Sequence, residues 1–350
     1  MKPFFTLSKS KVLQQFNIVD SVADITSYSS KTNPLVSSIL EQETNCMFSI
    51  HTENELKNIT NHSRILYLAQ AWTSNQITCL LNKGITNFVV DNEPDLNILI
   101  ETLRTLNSQT NNLQITLLLR TKLKENTLKT EKYFVFGMPS ATVASHIPSL
   151  KSNPNIKQLG IHFHRKTQNM AEWNLQFELE TMFPKEIIEL VDIINIGGGL
   201  PSFYANTNRN VVDSIIKKID KFKQFLKKQN IKLMLEPGRF IAAPAGKLHT
   251  SITRIYENNI LVNASIYNTD LDAIIVPVKL LVQDELQKSD KNAKPYIIKG
   301  LTPCSLDLFR YRVYLKNPKE GDELVFLNAG AYNFASEFCD LEKLETKFID

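Results

Sequence analysis

Along the first two thirds of the chain, short apolar runs with β-type composition alternate with longer stretches capable of forming helices. The short runs read ADITSYSSK (23–31), CMFSIH (46–51), RILYL (64–68), NFVVD (87–91), ITLLLRT (115–121), QLGIHFHR (158–165), DIINIGG (192–198) and KLMLEPG (232–238). Between them lie segments such as EPDLNILIETLRTLNSQ (93–109) and RNVVDSIIKKIDKFKQFLKKQ (209–229). In the second of these, apolar residues return near the 3.6-residue period of a helix with one buried face. Eight strands alternating with helices over roughly 220 residues predict an α/β fold, a (β/α)8 barrel of the TIM type, spanning residues 11–240.

After about residue 240 the pattern changes. TSITRIYENNILVNAS (250–265), AIIVPVKLLVQ (273–283), KPYIIKG (294–300), RYRVYL (310–315) and ELVFLNAG (323–330) are β-rich, with polar breaks and no long helix between them. They predict a C-terminal β-domain over 241–350, with residues 1–10 as candidates to join it.

Composition narrows the class only a little. At 43% hydrophobic and 22% charged residues, the chain reads as an ordinary soluble globular protein. The net charge is +4, but lysine and glutamate are interspersed, which argues against a nucleic-acid-binding stripe. No apolar run reaches transmembrane length, and MKPFFTLSKSKVLQQF lacks a signal-peptide core. Cys46, Cys79, Cys304 and Cys339 show neither CxxC pairing nor disulfide-framework spacing, so a reducing cytoplasm is the expected location.

Candidate chemistry clusters at the ends of the strands. Gly197, Gly198 and Gly199 take three of only 11 glycines and follow the seventh run. Such a triplet needs either positive φ or bare backbone. On the face where barrel active sites lie, loops after strands 7 and 8 frequently build a phosphate site from backbone N–H groups. The eighth run ends in EPGR (236–239), where Arg239 is a candidate bidentate phosphate donor. Lys31 ends the first run and is a candidate Schiff-base lysine. His162 and His164 share one side of their strand. A metal reading of that pair lacks an obvious third protein ligand, whereas a planar imidazole stacked on an aromatic cofactor fits. Glu236 would then face a ring nitrogen and keep it protonated, as pyridoxal phosphate requires.

The ordered set YSSKTNP (28–34), HFHRKTQ (162–168), GGG (197–199), EPGR (236–239), TPCSLD (302–307) and GAY (330–332) resembles the fold-type III pyridoxal-phosphate decarboxylases. That group includes the ornithine, diaminopimelate and carboxynorspermidine enzymes. The resemblance implies pyridoxal phosphate held on Lys31 as a Schiff base, with His164 stacked on its ring and Thr167 near its phosphate. Gly197, Gly198, Gly199 and Arg239 would bind the phosphate, Glu236 would pair with the ring nitrogen, and Tyr332 would close on the phosphate. Cys304 resembles the cysteine that a partner subunit inserts to reprotonate the substrate carbon, which implies a homodimer with shared active sites. Ser305 stands where the family often carries an acid, with Asp307 two residues on, and Ser49 stands where ornithine and diaminopimelate enzymes tend to have Asp. Asp272 fits the carboxynorspermidine pattern, and Ser305, Asp307 and Asp272 are the candidate substrate contacts. The implied activity is α-decarboxylation of an amino acid with a distal amine or amino-carboxylate. An amino-acid racemase and a non-catalytic pyridoxal-phosphate carrier are the alternatives.

Overall fold

After an N-terminal strand, β1 (Phe4–Ser8), the eight apolar runs become β2 (Ile25–Ser29), β3 (Met47–Ile50), β4 (Ile65–Ala69), β5 (Asn87–Val90), β6 (Ile115–Arg120), β7 (Ile156–His162), β8 (Ile193–Asn195) and β9 (Lys232–Leu235). All pair in parallel with their neighbours in chain order, and β9 returns to β2 to close the barrel. Helices such as Pro34–Glu43, Ser74–Asn82, Glu93–Thr110, Ser140–Lys151 and Arg209–Lys227 lie between the strands. The computed structural model describes residues 1–110, 113–123, 135–171, 173–333 and 335–350. Among these, no helix is long and apolar enough to cross a membrane.

The remaining strands are β10 (Gly246–Tyr256), β11 (Asn259–Val262), β12 (Leu281–Val282), β13 (Lys294–Lys299), β14 (Leu308–Leu315), β15 (Glu323–Leu327) and β16 (Thr346–Ile349). They form a second sheet in the order β12-β15-β10-β11-β13-β14, with β1 beside β10 and β16 beside β1. The antiparallel register Phe4↔His249 to Leu7↔Gly246 ties the start of the chain to this sheet. Two compact units result. One comprises Met1–Gln15, Pro201–Arg209 and Arg239–Asp350; the other comprises Phe16–Leu200 and Asn210–Gly238.

The inside of the barrel shows why these residues close it. Leu66, Val89, Leu118, Ile193 and Met234 form a buried cluster, with Ile25, Met47 and Leu68 packed against it. Its members come from seven of the eight strands. The eighth, β7, places Gly160 level with Leu118 and Ile193. A Cβ on Gly160 would lie 2.4 Å from Leu118 Cδ2 and 2.5 Å from the Ile193 carbonyl. Its neighbours' side chains therefore fill the space that Gly160 leaves, as close packing of a barrel interior demands.

Candidate active site

Lys31 sits in a short 3₁₀ turn, Ser30–Thr32, between β2 and the next helix. That helix starts sharply: Asn33 Oδ1 accepts from the Leu35 N–H at 3.1 Å, and Pro34 supplies a pre-set first φ. Tyr28 Oη donates to the Asn33 carbonyl at 3.1 Å and Ser37 Oγ to Ser30 Oγ at 2.9 Å, which fixes the turn carrying Lys31. Lys31 Nζ lies 3.1 Å from Nε2 of His51, just beyond β3. The lysine is solvent-accessible, yet the protein around its amine desolvates it and lowers its pKa, against the pull of Glu236 and Glu55.

Strands β7, β8 and β9 supply the floor. His162 and Asn195 are paired in register, Asn195 is level with Met234, and Glu236 follows two residues later. All three polar side chains are buried. Asn195 Nδ2 donates to Glu236 Oε1 at 2.6 Å, and His162 Nε2 lies 3.1 Å from the same oxygen. Among the described residues Oε2 accepts no hydrogen bond. Burial alone would favour the neutral acid, but His162, then His164 and His51, more than offset it, and the carboxyl is held well below the usual range. One donor atom from each of His162, His164 and Glu236 falls within 4.8 Å of the others, so Glu236 is the third metal-type ligand that the sequence did not reveal.

The three glycines lie against this floor. The Gly197 N–H donates to Asn195 Oδ1 at 2.8 Å, and the Gly198 N–H donates to His164 Nδ1 at 3.2 Å, which places the His164 proton on Nε2. Gly197 and Gly199 have φ of +66° and +96°. Cβ atoms at 197, 198 and 199 would lie 2.6 Å from the Phe163 carbonyl, 2.7 Å from that of Glu236 and 2.8 Å from that of Lys166. Packing and backbone conformation therefore already require glycine at all three positions. Two of the three N–H groups expected for a phosphate are occupied by side chains, and among the described residues only that of Gly199 has no partner. Thr167 lies on the turn that follows His164, and the next residues close onto the glycines through the Asn169 N–H to the Gly199 carbonyl, 2.9 Å.

The other predicted residues, Ser49 apart, belong to the β-rich unit. Arg239, expected as a phosphate donor, is buried in a bidentate pair with Asp272 and also donates to Tyr204 Oη at 3.0 Å. Burial works against its charge, yet Asp272 and Tyr204 hold the guanidinium well above its usual range. Tyr332 has its ring 5.0 Å from that guanidinium and a positive φ of 54°. Asp272, expected at a substrate, is thus committed to Arg239. Asp307 is likewise committed: its carboxylate accepts from Ser265 Oγ, Thr302 Oγ1 and the Ile266 and Thr302 N–H groups at 2.7–3.0 Å. A buried carboxylate with so many donors holds a turn together. Ser305 beside it is exposed, and Cys304 is half-buried. Ser49 is buried on β3, its Oγ 2.8 Å from Ser27 Oγ.

Residues 15–243 match the family described as pyridoxal-dependent decarboxylase, pyridoxal binding domain. A diaminopimelate decarboxylase of Methanocaldococcus jannaschii is 24% identical over 300 residues, 80% of this chain and 67% of that one. One of Bacteroides thetaiotaomicron is 26% identical over 187 residues, covering 51% and 48%. The chain thus spans between about half and two thirds of the length of these curated relatives. The fold is that of diaminopimelate decarboxylase from Helicobacter pylori complexed with L-lysine, with TM-score 0.81, 20% identity and coverage of 100% and 92%. Lysine/ornithine decarboxylase from Vibrio vulnificus complexed with cadaverine gives TM-score 0.76 at 20% identity, covering 99% and 94%.

The electrostatics of the floor make a testable demand on stability. Burial pushes His164 and His51 down to about 3, from an ordinary value of 6.5, and Lys31 adds to the effect. Between about pH 6.5 and about 3 the unfolded chain binds protons that the folded chain does not. Stability should therefore fall with pH across that window, by up to about 1.4 kcal/mol per unit for each histidine. Glu236, with its pKa depressed on folding, adds a loss of the same sign once the pH falls through the carboxylate range. In urea titrations His51→Gln should make the acid limb shallower; a limb as steep as in wild type would contradict a His51 buried in its neutral form.

Proposed function

The chain belongs to the pyridoxal-dependent decarboxylase family, and on that premise we propose that it is an α-decarboxylase of an amino acid bearing a distal amine or amino-carboxylate. The observation that carries this reading is the buried Glu236, with one oxygen held by Asn195 and the other without a partner among the described residues, at the same barrel end as Lys31. The residues present fit pyridoxal phosphate. Lys31 offers an amine to hold it, His164 a neutral ring to lie against it, Glu236 Oε2 an acceptor for a ring N–H, and Gly199 a backbone donor for its phosphate. When bound, the cofactor supplies an electron sink for the pair released as the substrate loses carbon dioxide.

The protein's own residues do the rest. Desolvation of Lys31 raises the fraction of neutral amine, the form that attacks a carbonyl. Ionised Glu236 keeps a proton on the ring nitrogen, and Asn195 and His162 keep the carboxylate oriented. Cys304 donates its thiol proton to the substrate carbon. Arg239, already paired with Asp272, holds Tyr204 and Tyr332 in place within its own unit. With Asp272 and Asp307 engaged internally, Ser305 is the candidate substrate contact left facing solvent. The names of the relatives, which act on diaminopimelate, lysine and ornithine, support a substrate of that kind. A racemase of this barrel would set an arginine against the ring nitrogen, and here the residue is Glu236. A mere carrier would have no use for Cys304.

Incubation with a panel of L-amino acids should release carbon dioxide from a diamino substrate; a change of chirality without release would replace decarboxylase by racemase. Borohydride reduction of the protein loaded with pyridoxal phosphate, followed by peptide mapping, should label Lys31. A label on another lysine would overturn the site.

Cys304 serving a neighbouring chain makes the working unit a two-fold dimer with two equivalent sites. Lys31→Ala and Cys304→Ala chains should each be impaired, and when mixed through subunit exchange they should recover about a quarter of wild-type activity, half the dimers carrying one intact site. Proven exchange without recovery would assign Cys304 to its own chain.

A further inference from the structure

Cys304 is not an isolated thiol. Its Sγ lies 3.0 Å from Tyr267 Oη, and the tyrosine ring stacks on Phe338 at 3.8 Å between centroids, 18° from parallel. The Tyr267 backbone is held as well. Its N–H donates to Ser265 Oγ at 3.2 Å, and its carbonyl accepts from Ser336 Oγ at 2.8 Å. The loop bearing Cys304 is fixed from the other side by Asp307, whose carboxylate ties it to Ser265 and Ile266, just before Tyr267. Two chain segments, 37 residues apart, thus bring one hydroxyl to one sulfur. Cys304 also lines a pocket of about 650 Å³, together with Tyr256, Lys299, Thr302, Ser305 and Tyr311.

We propose that Tyr267 is a positioning residue for Cys304, its hydroxyl orienting the thiol and stabilising the thiolate left once the proton has gone to the substrate carbon. The inference rests on the proton-donor reading of Cys304 given above. In the step, the S–H bond breaks and its electron pair stays on sulfur. The proton forms the new C–H bond with the pair left on carbon by departing carbon dioxide. The Tyr267 O–H then donates to the anionic sulfur, and a proton from water restores the thiol. Phe338 keeps the phenol ring in place through this exchange.

The charged and titratable groups facing the pair are consistent with this role. The Tyr267 hydrogen bond, then the Leu306 N–H, favours the Cys304 thiolate, whereas Asp307 opposes it. Tyr267 itself is pushed up to about 12, first by the bond to Cys304, and Asp307 and Cys339 add to this, so it stays protonated and able to donate. Lys299, in the same pocket, is engaged by Tyr256 Oη at 3.1 Å.

The test follows alkylation of Cys304 by iodoacetamide as a function of pH in the full chain, read by peptide mass spectrometry. Cys304 should titrate below free glutathione in the same buffers, and Tyr267→Phe, which retains the stacked ring, should raise its midpoint by about one pH unit. An unchanged midpoint in Tyr267→Phe, or a wild-type midpoint equal to that of glutathione, would overturn the proposal. With a substrate that releases carbon dioxide, Tyr267→Phe should lower kcat and leave KM nearly unchanged; a change in KM alone would assign Tyr267 to binding instead. Failure of the wild-type chain to decarboxylate any amino acid would overturn the parent function, and the catalytic use of the pair with it. The thiol titration still decides whether Tyr267 acts on the sulfur.

Discussion

A carboxylate buried at the end of a barrel strand is unstable as an anion unless its surroundings hold it there. Glu236 meets that condition through one oxygen, which takes the Asn195 amide at 2.6 Å and faces His162 at 3.1 Å. The remaining features of the barrel mouth follow from this. Asn195 uses its other amide atom to fix the Gly197 N–H, and the next N–H fixes His164. The negative charge counters the desolvation of Lys31 across the same cluster. Lysine, imidazole and carboxylate are thereby placed in one network before any cofactor arrives, as preorganised electrostatic catalysis requires.

The barrel was legible because short strand-forming runs alternate with helix-forming stretches, and all eight runs named from the sequence pair in the order in which they occur. Lys31, His164 and Glu236 were legible for a related reason, since each is a polar residue at the end of such a run. His51, Asn195 and the contact of His162 with Glu236 were not. Their significance depends on strand register, which places His162 level with Asn195 and Asn195 level with Met234, two residues short of Glu236. A signal was present: each is a polar residue at or near the end of a strand-forming run.

The glycines were read from backbone freedom and phosphate chemistry and Arg239 from phosphate chemistry, and the structure adds packing. Side chains at 197–199 would collide with three backbone carbonyls, so the triplet is demanded by the protein whether or not a phosphate binds. Arg239 is taken by Asp272, 33 residues away, a pairing that no local motif could reveal. Asp307 shows the same difficulty. An acid two residues past an exposed serine suggests a substrate contact, and only the fold shows that it caps the segment leading to Tyr267.

If the ionised Glu236 organises the site, its charge state is the quantity to measure. In protein labelled with carbon-13 at the glutamate carboxyls, the signal absent from Glu236→Gln identifies Glu236, and its chemical shift can be followed in an acid titration. Glu236 should show the shift of a carboxylate at every pH at which the protein stays folded. Titration at or above about 4.3, the ordinary value for glutamate, would contradict it.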